Sequence, residues 1–113
     1  MNHNELLTKI NKLETIFEEY NIFKSVFVCN IENIDTYFSV LSQHDFPVSK
    51  LDNLTSYNHH QSRILLLDER SFENFDLIKN EINVPDINMV IYLDDISPFK
   101  YSPLDNVPKF ILS

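Results

Sequence analysis

The chain reads as an α/β protein, a largely parallel sheet of about five strands with helices on both faces, and three features lead there. Two apolar runs, Ile64–Leu67 and Met89–Leu93, each end in a pair of carboxylates, Asp68/Glu69 and Asp94/Asp95. Between them Phe72, Phe75, Ile78 and Ile82 recur at helical spacing, so the stretch from Arg63 to Asp95 reads as a strand, a crossover helix and a second parallel strand. Strand and helix patterns alternate through the rest of the chain, which argues for a sheet covered on both sides.

Taken in order, Leu6, Ile10, Leu13, Phe17 and Tyr20 give an amphipathic helix from about Asn4 to Tyr20, with Glu14, Glu18 and Glu19 on its other faces. Ser25–Cys29 is a short continuous run of β-forming residues, hence a buried strand. Ile34, Tyr37, Phe38 and Leu41 predict a second helix ending near His44, where Asp45 and Pro47 break it. Pro47–Leu51 reads as a short strand and Asp52–Ser62 as a polar loop. Arg63–Leu67 is the central strand, and the helix after it runs from about Ser71 to Ile82 with Ser71 as its cap. Pro85 and Asp86 mark a turn, Asn88–Leu93 a strand, Ser97–Pro108 a proline-rich connection and Lys109–Leu112 a last strand. A length of 113 residues suits one domain, 1–113, with one core.

Composition bounds the function from outside. The net charge is −8, and no two of the nine Lys and Arg residues are adjacent. Tracking a phosphate backbone needs clustered cations, so autonomous nucleic-acid binding is disfavoured and a protein partner with basic patches fits better. Glycine is absent, where roughly eight would be usual at this length. Phosphate-cradling loops depend on glycine for close backbone approach and positive φ, so neither phosphate-loop signature is present. Turns fall to Asn, Asp and Pro. The single cysteine rules out a disulfide framework within the chain. No apolar run nears the ~20 residues of a membrane span. The start, Met1-Asn2-His3-Asn4-Glu5, has neither a basic nor a cleavable apolar region, which points to a cytoplasmic protein.

Four groups of residues carry candidate chemistry. Asp68, Glu69, Asp94 and Asp95 fall at the carboxyl ends of strands, the edge where open α/β sheets bind ligands. They would suit Mg²⁺ in a phosphoacceptor or small enzyme, or simply solvate strand ends and cap the helix that follows. His59 and His60 diverge in any extended segment, and further metal ligands would have to come from His44, Asp52 or Cys29, with no known ligand spacing. Cys29 sits on a buried strand and reads as a small apolar core residue before a nucleophile. Phe99, Tyr101 and Phe110 lie in or beside the proline-rich connection, outside the periodic elements. They fit an interaction surface or a lid over a sheet edge. No catalytic, cofactor-binding or metal-ligating residue is assigned.

Several of these segments together resemble a family. Ser25-Val-Phe-Val-Cys-Asn-Ile-Glu32, then Ile34, Phe38 and Leu41, then His44-Asp-Phe-Pro-Val-Ser-Lys-Leu51 are similar to the opening of the second RecA-like domain of superfamily 2 helicases, the DEAD-box translation-initiation type above all. Gln61-Ser-Arg-Ile-Leu-Leu-Leu-Asp-Glu69 and Asn88-Met-Val-Ile-Tyr-Leu-Asp-Asp-Ile-Ser-Pro98 resemble its later strands, and Tyr101 falls where the family often has a tyrosine before its arginine motif. The resemblance spans roughly Phe17 to the C-terminus and implies a RecA-like three-layer sandwich. Departures fall on the family's chemistry. Asp68 stands for a threonine, Glu73 for an arginine and Asn74 for a glycine, while Asp76 keeps its type. After Tyr101 the chain reads Ser-Pro-Leu-Asp-Asn106, with no arginine, although such arginines are worth ~10³–10⁵ in rate. The helix usual between the second and third strands is replaced by Asp52–Ser62. The resemblance therefore implies a non-catalytic interaction module, an adaptor or decoy for a helicase-binding protein, with no cofactor. A Mg²⁺-using phosphoacceptor and an RNA-binding remnant are the alternatives.

Overall fold

The computed structural model describes residues 2–82, 84–96, 104 and 106–112. The sheet has five strands, β1 (Lys24–Cys29), β2 (Val48–Ser49), β3 (Ile64–Asp68), β4 (Ile87–Tyr92) and β5 (Lys109–Ile111), in the order β2-β3-β1-β4-β5. Every pair is parallel. β1 is central and all six of its residues are buried, as a two-sided apolar strand requires.

The pleat divides the core into two layers. Phe27 and Cys29 of β1, Ile64 and Leu66 of β3, and Met89 and Ile91 of β4 face one side, under helices α1 (His3–Glu19) and α2 (Ile34–Gln43). Val26, Val28, Leu65, Leu67, Val90 and Tyr92 face the other, under α3 (Leu54–Asn58) and α4 (Glu69–Glu73). The result is a three-layer α/β sandwich. In α1, Leu6, Ile10 and Leu13 form the buried stripe, and the Asn2 side chain caps the helix by accepting from the Glu5 amide at 2.9 Å. With no glycine in the chain, the two left-handed backbone positions among the described residues fall to Asp45 (φ 63°) and His60 (φ 61°). Aspartate tolerates that region better than most residues.

Three elements differ from what the sequence predicts. The helix placed over Ser71–Ile82 begins at Glu69, because Asp68 rather than Ser71 is the cap, accepting from the Ser71 amide at 2.8 Å. It ends after five residues, and a 3₁₀ turn at Phe75–Leu77 follows. Phe72, Phe75 and Ile78 recur every three residues, a spacing that a 3₁₀ turn satisfies as well as an α-helix does. The Asn74 side chain also donates to the Arg70 carbonyl at 3.0 Å, competing for the last turn. The polar loop Asp52–Ser62 contains the one-turn helix α3, which buries only Tyr57 and so leaves no periodicity to read. The strand placed at Pro47–Leu51 is two residues long, because a 3₁₀ turn starts at Leu51.

Among the described residues, Lys24 is a charged residue fully buried in the core. The Lys24 ammonium donates to the Tyr57 carbonyl and sits 4.5 Å from the centre of that ring. Burial lowers its pKa, opposed by the charge of Asp86.

Candidate functional site

The strand order creates a distinctive position between β1 and β3. The connection leaving β1 passes to α2 on one face, and the connection leaving β3 passes to α4 on the other. β1 and β3 are neighbours, with Cys29 paired to Asp68 at their ends. The chain therefore parts above these two strands, which is the topological switch point where open α/β sheets hold ligands. A cleft of about 600 Å³ lies there, lined by Asn30, Ile31 and Glu32 after β1 and by Asp68, Glu69, Arg70 and Glu73 around the start of α4.

The four carboxylates picked out at the strand ends have different surroundings. Asp68 and Glu69 line the cleft. Asp68 also holds α4, accepting from the Ser71 amide and from the Ser71 hydroxyl at 3.1 Å. Asp95 is exposed. Asp94 turns inward, with its side chain 8% exposed. Its Oδ1 accepts from the Tyr37 hydroxyl at 2.7 Å and the Lys9 ammonium at 3.3 Å. Its Oδ2 accepts from the Asn30 amide at 2.8 Å and the Asn33 side chain at 3.2 Å. Lys9 also donates to the Tyr37 hydroxyl and the Leu93 carbonyl. One carboxylate thus ties α1, the turn after β1, α2 and the end of β4 together.

Electrostatics follow from this geometry. Burial pushes the Asp94 carboxyl up, but its four donors outweigh burial and hold it below the usual carboxylate range. Tyr37 moves the other way: burial and its hydrogen bond to Asp94 raise its hydroxyl far above the ordinary value. The Cys29 thiol is pushed up to about 12 by burial first, then by the charges of Asp94 and Asp68, with Lys9 opposing them. A thiol so placed is an inert core group.

The other candidates are not brought to the cleft. His59 and His60 precede β3 and His44 precedes β2, so all three lie toward the opposite end of the sheet. His60 rests against the Phe23 ring at 5.3 Å. Among the described residues, no group of three or more His, Cys, Asp or Glu could hold a metal. Phe110 is half-buried, its ring edge-on to Tyr20 at 4.9 Å, so it covers the β5 side of the sheet against the end of α1. Phe99 and Tyr101 lie outside the described residues. No helix among the described residues is long and apolar enough to cross a membrane.

Sequence reading missed the groups that engage Asp94. Lys9 lies on the polar side of a helix remote in sequence, and Tyr37 counts there as a core aromatic whose hydroxyl has no visible role. Nothing local signals a contact across 85 residues. No protein-family model and no curated protein matches the chain.

Proposed function

We propose that the protein is a non-catalytic interaction module, built like the C-terminal domain of a DEAD-box helicase but without its phosphate chemistry, and serving as an adaptor or decoy for a protein that contacts such domains. The observation that carries this reading is the make-up of the switch-point cleft. Among the described residues, four carboxylates and one guanidinium line it, and a nucleotide's phosphates would meet repulsion there. The first amide beyond β1, a natural phosphate donor in α/β folds, is turned inward: Asn30 N–H donates to Asp94. The sequence adds a turn without glycine and a segment after Tyr101 without arginine.

The test is ATP hydrolysis with and without RNA, together with ATP binding by calorimetry. Neither turnover nor binding is expected. Turnover that survives repurification and disappears in Arg70→Ala would end the reading. Saturable Mg²⁺-dependent amide shifts at Asp68 and Asp94 would replace it with the phosphoacceptor alternative.

A further inference from the structure

We infer that the partner docks through a short cationic segment carrying an aliphatic side chain, laid across the carboxyl ends of β1, β3 and β2. The inference rests on the interaction-module reading and names what such a module would bind.

Two further hollows adjoin the cleft. A second hollow of about 250 Å³ shares Asp68 with it and reaches Lys50 and Leu51. A third, of about 410 Å³, shares Lys50 and Asp52 with the second and reaches Phe38. Together they cross three strand ends. Two strand spacings are about 10 Å, which matches an extended segment of roughly three residues. Among the described residues, six carboxylates line the three hollows, against Lys50 and Arg70. That balance holds whatever local pairs the acids form, and it favours a cationic occupant. A nucleic acid is repelled by the same lining. A second copy of this chain is a poor occupant, because it carries a net charge of −8 and no two adjacent basic residues.

Charge alone would give a diffuse encounter, and apolar residues supply the anchor. Ile31, in the cleft, is 67% exposed and belongs to neither core layer. Leu51, in the second hollow, is 39% exposed. Leu77 is more exposed still, but it lines none of the three hollows. An aliphatic side chain beside the cations of the partner would cover Ile31 and exclude water around the charges, the arrangement of an interface hot spot.

The probe is a short synthetic peptide of alternating arginine and leucine, titrated into the full chain while backbone amides are followed. Shifts are expected at Asn30–Ile34, Lys50–Asp52 and Asp68–Glu73. Binding should weaken about tenfold in Ile31→Ser and in Glu32→Lys, both at exposed positions where folding is unaffected, and it should weaken as ionic strength rises. An alternating arginine–glycine peptide binding as tightly would overturn the inference, because the anchor would then contribute nothing. So would shifts elsewhere, no binding, or tighter binding of a single-stranded oligonucleotide. Loss of peptide binding without ATP turnover removes the named occupant and leaves the non-catalytic reading standing.

Discussion

Asp68 and Asp94 look alike in sequence, each the first acid after an apolar strand, but the fold uses them differently. Asp68 satisfies the first turn of the helix that follows it and faces the cleft. Asp94 caps no helix among the described residues. It turns back instead to four donors on elements distant in sequence. Two acids in the same place after a strand thus take different parts: Asp68 caps locally and stays at the cleft, while Asp94 ties distant elements together.

The largest effect expected is on stability. Asp94→Ala should cost about 3 kcal/mol, because it leaves the Lys9 ammonium and the Tyr37 hydroxyl facing an emptied, largely dry site. Asp68→Ala should cost about 1 kcal/mol, the value of a lost helix cap. Urea midpoints at constant slope measure both, and equal losses would break the comparison. Tyr37→Phe keeps the ring but removes a donor to Asp94 and an acceptor from Lys9; a loss of about 1–2 kcal/mol is expected in the same assay.

Acid sharpens the contrast. The Asp94 carboxyl lies below its ordinary value of 3.8 in the fold. A carboxyl held lower in the native than in the unfolded chain contributes stability that is complete above about pH 4 and is lost as pH falls through the native value. Urea midpoints followed below pH 4 should therefore fall more steeply in the natural protein than in Asp94→Asn; parallel curves would mean that the donors do not hold the charge. Cys29, one residue beyond the Asp94 network, should react with a thiol reagent only as the protein unfolds, and stopped-flow labelling at the rate of the free thiol would contradict its placement. The smallest effect belongs to the exposed pair Lys79–Asp76, 3.2 Å apart, where Lys79→Ala should change stability by less than about 0.5 kcal/mol.

Strand positions were legible because β1, β3 and β4 are buried on both faces, and continuous apolar runs leave little else to read. α1 and α2 were legible for the complementary reason, one apolar stripe each along ten or more residues. The region from Asp68 to Ile82 was misread because a spacing of three residues serves an α-helix and a 3₁₀ turn equally. α3 was missed because a single turn burying Tyr57 has no period. At the candidate site, Asp68 and Glu69 could be placed at the ligand edge from sequence. The inward turn of Asp94 could not, since its donors come from α1, the turn after β1 and α2, all 57 or more positions away.

Local patterning by itself determined the class of this protein, a parallel sheet between helices, because burial on two faces and on one stripe writes different periods into the sequence. Strand order was decided only in three dimensions, when β3 and β4 closed on either side of β1. That order fixed where the chain parts above the sheet, which acids line the opening and which one is drawn inside, because each depends on contacts between residues tens of positions apart.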